Sequence, residues 1–373
     1  ISDVPLGCFL SGGLDSSIIV ALMSEISQRP VKTCSIGFYE EKYNELPYAK
    51  IVAQKFNTDH TEFKVKPDAL SILPKLAWYY NEPYADSSAI PTYYVSRLAS
   101  QNVKVILNGD GGDENFAGYD RYFADELCRK FQQLIPSEIA KIPFNLISLL
   151  PMSNSKSLPW KIKRFLEGYT CKGQSRYAKW MSHFTPELKK KLYSNDFKSI
   201  MNKYNCFDIL FDEYKKSDAD NNLERLISTD IALYLPNDLL VKVDIASMAN
   251  SIEARSPFLD HKLMEFVARL PYQYKLRKNI SKYLLKKIAK DILPPEIITR
   301  KKMGFGVPLD IWFRGELKDI SYEMLLSPNA LGRKYFKQKF IKKMLDEHNL
   351  NKWNWQYQIY NLLMLELWYQ QYK

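Results

Sequence analysis

Residues 4–10 read VPLGCFL and run directly into SGGLDSS at 11–17, after which SSIIVALMSEI extends over 16–26. The first run is short and apolar, the pattern of a buried strand, and the last carries apolar residues at helical spacing. Gly12 and Gly13 between them let the backbone approach a polyanion closely. Hydroxyls and free N–H groups at the helix start offer donors to phosphate. No Lys follows the glycines, so this is not a Walker A loop, and GxGxxG is absent. The ordinary alternative is a Gly-rich helix start capped by Ser or Asp.

Working outward, 33–38 (TCSIGF) reads as a second strand, 48–56 as a helix and 60–65 (HTEFKV) as a third strand by its alternation. Helical stretches follow at 70–80 and 91–99. A fourth strand at 103–107 (VKVIL) ends in a turn rich in Gly and Asp. Strands alternating with helices imply a parallel sheet with right-handed crossovers. Ligands of such sheets bind at the carboxyl ends of the strands, where both glycine loops fall. From about Phe131 the pattern is mainly helical, with loops marked by Pro151, Pro159, Pro186, Pro236, Pro257, Pro271, Pro294 and Pro308. Amphipathic helices are expected at 225–235 and 261–270, and large apolar residues recur at helical spacing over 355–368. The expectation is an α/β fold: a nucleotide-binding core over 1–130, then a largely helical region over 131–373 that packs on the core and completes the site. No flexible linker separates the two.

Composition narrows the function. The 373 residues carry a net charge of +11, but Lys and Arg are spread along the chain without a long basic block. That is the pattern of a basic surface rather than of nucleic-acid binding. Five Cys form no CxxC pair, which suits reduced thiols in a cytoplasmic setting. Four scattered His show no zinc spacing. No apolar run approaches the roughly 20 residues of a membrane span, and no signal peptide is seen. The chain starts at Ile1 and enters a strand almost at once, so a piece of a longer polypeptide is expected.

Four more segments carry chemistry. At 108–114, NGDGGDE closes the fourth strand. Three acids interleaved with Gly are costly in a turn unless cations offset them, although an exposed acidic turn is the ordinary alternative. At 79–88, YYNEPYADSS is an acidic loop leading into a helix, equally readable as an N-capping loop. The stretch from DIASM at 244–248 to EARSPFLD at 253–260 reads as a helix and turn, by itself more often a buried ion-pair scaffold. At 300–308, RKKMGFGVP can close over phosphates or be a solvated basic turn.

The SGGxDS loop resembles the pyrophosphate loop of ATP pyrophosphatases. SGGLDSS, GDGGDE, EARSPFLD and KMGFGVP together, in this order and over nearly the whole chain, resemble the synthetase domain of glutamine-hydrolysing asparagine synthetases and the related β-lactam synthetases. The resemblance implies a fold of the adenine nucleotide α-hydrolase-like type, with ATP and Mg²⁺ bound. Leu10, Ile36, Asn108 and Gly109 would contact adenosine; the family usually has Ser where Asn108 stands. Ser11, Gly12, Gly13, Leu14, Asp15, Ser16 and Ser17 would bind the pyrophosphate. Asp110 and Lys302 would be catalytic, Asp110 in forming the acyl-adenylate and Lys302 in stabilising charge at the α-phosphate. Asp15 and Asp113 would hold Mg²⁺, with Asp86 a further candidate; Arg255 would be a carboxylate or structural partner.

The implied reaction joins aspartate, ATP and ammonia through β-aspartyl-AMP, releasing AMP and pyrophosphate. Ammonia would come from a glutaminase domain that uses an N-terminal Cys. Cys8, inside a predicted strand, is not that residue. Acceptors other than ammonia and acids other than aspartate stay open, since relatives close β-lactams or cyclise peptides. A homodimer is also open. A non-catalytic or nucleic-acid-binding module has only the net charge in its favour.

Overall fold

The computed structural model describes residues 2–65, 68–136, 158–171 and 173–373. Pro151, read as a loop marker, lies outside them. The described chain forms two compact units, each drawn from three stretches. The first comprises Ile1–Asp68, Asp86–Tyr119 and Asp230–Val307; the second comprises Ala69–Ala85, Asp120–Thr229 and Pro308–Lys373.

The first unit is built on a five-stranded parallel sheet. Its strands are β1 (Leu6–Phe9), β2 (Lys32–Phe38), β3 (Asp59–Val65), β4 (Val105–Leu107) and β5 (Glu253–Arg255), in the spatial order β3-β2-β1-β4-β5. β1 is central: Cys8 pairs with Thr33 on one side and with Leu107 on the other. Helix α1 (Leu14–Ile26) follows β1, and α2 (Leu46–Lys55) precedes β3. Cys8, Leu10, Ile18, Val20, Ala49 and Val52 belong to one apolar core, the burial that the strand and helix periods anticipate. The chain leaves β1 toward β2 in one direction and returns through β4 on the other side. The strand order therefore reverses between β1 and β4, and the loops after these two strands line one crevice.

Two elements differ from the sequence reading. The turn expected at 253–255 is the edge strand β5, which pairs Glu253, Ala254 and Arg255 with Val105, Ile106 and Leu107. Three residues, two of them charged, are too few to show a strand period. The single helix expected over 225–235 is α-helical over Asn222–Thr229 and then π-helical over Asp230–Leu240, with Pro236 inside. Proline has no N–H to give and clashes with the carbonyl four residues back, so the regular ladder cannot pass it.

The second unit is helical. Its long last helix, Gln356–Tyr372, packs on Ala69–Tyr80. Arg176 is buried there and donates to Asp125 Oδ1 at 2.8 Å, the Asp125 carbonyl at 3.0 Å and Gln132 Oε1 at 2.6 Å. Among the described residues, no helix is long and apolar enough to cross a membrane.

Candidate active site

The loop from Ser11 to Ser17 leaves β1 and opens α1. Gly12 has φ +67°, and a Cβ there would run into the backbone of Tyr48 and Ala49 in α2, so only glycine fits. Ser11 and Ser16 bind the loop to itself: their hydroxyls lie 3.1 Å apart, and the Ser11 hydroxyl accepts from the Gly13 N–H at 3.2 Å. Among the described residues, Gly13 caps α1 without any side-chain bond to the helix start, and the Ser17 hydroxyl is buried without a partner. Helix donors are thus left unused by side chains, which suits an anion.

The second loop follows β4. The Asn108 N–H donates to the Arg255 carbonyl at 2.9 Å, and the Asp110 N–H donates to Asn108 Oδ1 at 3.2 Å. The Ser256 hydroxyl donates to the Asp110 carbonyl. This loop touches the first: a Cβ on Gly112 would meet Asp15 Cγ at 2.8 Å.

The contact brings Asp15 and Asp113 to one ammonium, that of Lys282. Lys282 Nζ pairs with Asp15 Oδ2 and lies 2.7 Å from Asp113 Oδ1. Lys302 Nζ lies 2.7 Å from the same Asp113 oxygen and 4.0 Å from the centre of the Tyr119 ring. Burial alone would raise Asp113, but Lys282 and Lys302 outweigh it and hold the carboxyl well below the usual range. Burial pushes Asp15 up, with Lys282 opposing. Desolvation, reinforced by Lys282, pulls Lys302 below an ordinary lysine despite Asp113. Burial raises Asp110 to about 6; the Asp113 and Asp15 carboxylates add to this, while Lys242 works against it. Glu114, 1% exposed and accepting from the Tyr119 hydroxyl, is raised by burial to about 7.

Other candidates stand elsewhere. Asp86 accepts from the Ser88 N–H at 2.9 Å and hydroxyl at 2.8 Å, and from Lys242 Nζ at 3.0 Å. The Arg255 guanidinium is half-exposed and donates to Glu253 at 2.6 Å. Leu10 and Ile36 are buried, Leu10 just beyond β1 and Ile36 in β2 opposite Phe63. Sequence reasoning missed Lys282, Lys242 and Glu45. Lys282 follows a two-residue hairpin turn, Lys278-Asn279, with both φ positive, and is itself at φ +53°. A Lys-Asn turn has no glycine to advertise it, so no local signal marks this lysine.

A family model described as asparagine synthase matches residues 1–370. This chain belongs to the asparagine synthase family. Asparagine synthetase [glutamine-hydrolyzing] 1 of Bacillus subtilis is 30% identical over 369 residues, covering 99% of this chain and 56% of that protein. A Mycobacterium tuberculosis protein, whose name assigns it provisionally to the same synthetase type, is 31% identical over 371 residues, 99% of this chain and 55% of its own. Amidase chry2 of Gibberella zeae is 23% identical over 377 residues, 88% of this chain and 53% of its own. The chain thus spans just over half the length of the curated relatives it matches. Within the family frame the two glycine loops and the Lys302 loop, distant in sequence, converge on the pair Asp15 and Asp113.

Proposed function

We propose that the chain amidates aspartate to asparagine in two steps. The β-carboxylate attacks the α-phosphorus of ATP, the bond to the β-phosphate breaks, and pyrophosphate leaves. Ammonia then attacks the acyl carbon of β-aspartyl-AMP, the bond to AMP breaks, and the amine proton passes to solvent. Ammonia would be supplied by a glutaminase domain. The observation that supports this most is the meeting of the loops that follow β1 and β4. There a loop with unused helix donors meets two carboxylates and two lysines.

The residues present fit Mg²⁺. Among the described residues, Asp15 Oδ1 is buried with no hydrogen-bond partner, and its neighbour Asp113 is a second hard oxygen donor. Mg²⁺ is commonly bound by one or two carboxylates plus phosphate oxygens, a set that two carboxylates beside a nucleotide would supply. Asp15 and Asp113 would hold it, and bound Mg²⁺ would neutralise phosphate charge. Asp86 pairs with Ser88 and Lys242, whereas Asp113 shares the Lys282 ammonium with Asp15, which favours Asp113 for the second position.

The chain's own groups would do the rest by positioning and charge neutralisation. The Ser11–Ser17 loop would retain the β- and γ-phosphates as pyrophosphate. Lys302 would stabilise the charge that develops at the α-phosphate. Asp110, at the end of β4, is the carboxylate proposed for the adenylate-forming step. The buried Lys242 ammonium pairs with Asp86, and its field reaches Asp110. Amidation of another acid is the second reading, since the same loops also resemble those of β-lactam synthetases. ATP–pyrophosphate exchange across a panel of acids tests both: aspartate should give the fastest exchange, with AMP as the nucleotide product. ADP as product, or no exchange with any acid, would refute the reaction.

A further inference from the structure

Arg300 links the two loops on which that reading rests. It stands two residues before Lys302, and its guanidinium is directed at the phosphate loop. Nη1 donates to the Gly12 carbonyl at 2.8 Å and to the Ser11 carbonyl at 3.4 Å. Nη2 meets Glu45 Oε1 at 2.5 Å, with the two side chains only 6% and 10% exposed. The face of the guanidinium covers the Tyr48 ring, 4.1 Å from its centre. Glu45 is the N-cap residue of α2 and Tyr48 lies in that helix's first turn, against which Gly12 packs without room for a side chain.

This arrangement immobilises one peptide unit. In a planar trans peptide the C=O and the following N–H point in opposite directions. Arg300 holds the Gly12 carbonyl, and the Ser11 hydroxyl holds the Gly13 N–H at 3.2 Å, so the peptide between Gly12 and Gly13 is fixed from both sides. A lysine could supply the charge but not the fork that reaches two carbonyls, the Glu45 carboxylate and an aromatic face together. Such a group is expensive to bury unless the geometry matters.

We infer that Arg300 is a positioning residue, which sets the phosphate-loop backbone for pyrophosphate and fixes the start of the strap that brings Lys302 to Asp113. The inference rests on the proposed adenylylation for its kinetic consequences but not for its binding consequence.

Two measurements test it on the full chain, with Arg300→Lys and Glu45→Gln as the working variants, since Arg300→Ala leaves Glu45 buried without its cation and risks misfolding. The first is calorimetric titration with inorganic pyrophosphate and Mg²⁺. Arg300→Lys should bind about tenfold or more weakly, the scale of losing one charge-assisted hydrogen bond, and Glu45→Gln should be intermediate. The second is exchange kinetics with ATP. Arg300→Lys should raise KM for ATP about tenfold and also lower kcat. In a Lys302→Ala background the kcat loss should largely vanish while the KM effect persists, because only the first acts through Lys302. A merely structural Arg300 would lower thermal stability while leaving pyrophosphate affinity and both kinetic constants at wild-type values, and that result overturns the inference. If wild-type protein binds pyrophosphate but exchanges it with no acid, the proposed reaction fails and the binding arm alone decides the role of Arg300. Wild-type protein that binds no pyrophosphate would overturn both.

Discussion

Lys302 Nζ lies 2.7 Å from Asp113 Oδ1. The ammonium proposed to act on the α-phosphate is therefore held beside a carboxylate proposed to hold Mg²⁺. Lys282 sits between that carboxylate and Asp15. Opposite charges gathered in one crevice neutralise one another in the free protein and can be redistributed onto an incoming magnesium–nucleotide.

Replacing Lys302 should lower the rate rather than substrate binding. Gly304 and Gly306 lie close behind it, and among the described residues none but its chain neighbours stands within 4 Å of where a Gly304 side chain would begin, so the loop has room to move. A group that engages mainly in the transition state raises kcat without tightening KM. Lys302→Ala is expected to lower kcat by on the order of 10²-fold or more, with KM for ATP changing much less. Lys302→Arg should also be poor, since a planar fork does not replace a compact ammonium. Steady-state kinetics decide this, and wild-type kcat in Lys302→Ala would end the catalytic role.

Asp110 should impose an acidic limb on adenylate formation. Its carboxyl is raised to about 6, chiefly by burial. If the ionised form is required, kcat/KM falls as pH drops through about 6 and is level above it. Lys242 opposes the rise, so Lys242→Met should move the limb upward. Asp110→Asn should leave ATP binding largely intact and nearly abolish pyrophosphate exchange. Unchanged exchange in that variant, or a limb near the ordinary carboxylate value, would count against the assignment.

No glutaminase activity is expected from this chain, and free ammonia should serve as the nitrogen source. Cys8 is fully buried in β1, and burial pushes its thiol far above the range in which a thiolate forms. Cys8→Ser should be nearly neutral for ammonia-dependent turnover. Ammonia released from glutamine by the purified chain would contradict this.

His348 should make the second unit sensitive to acid. It is 0% exposed; its Nδ1 accepts from the Trp355 N–H at 3.1 Å, which leaves Nε2 to donate to the Asp310 carbonyl at 3.3 Å. Burial first, then the Arg314 charge, lowers its pKa from 6.5 to about 4. The unfolded chain thus binds the proton more readily than the folded one. The stabilisation is complete above pH 6.5 and is lost as pH falls from there toward 4, by roughly 3 kcal/mol. Urea denaturation at several pH values should show this slope in the wild type and a shallower one in His348→Gln. Equal slopes would refute the assignment.

The strand and helix periods around residues 4–26, the glycines that need φ > 0 or close approach, and the run of acids after the fourth strand are local signals. They make the parallel α/β core and both loops legible in the amino-acid sequence alone. The partners of those loops are not legible there. Lys282 meets Asp15 across 267 positions, and Arg300 meets Gly12 across 288. A lysine or arginine looks the same in sequence whether it faces solvent or a buried carboxylate. Nor can three residues at 253–255 announce an edge strand, because their pairing is decided by β4 rather than by their own composition. Which loops share a crevice follows from the strand order β3-β2-β1-β4-β5, and that order is a property of how the sheet packs, written in no single segment of the chain.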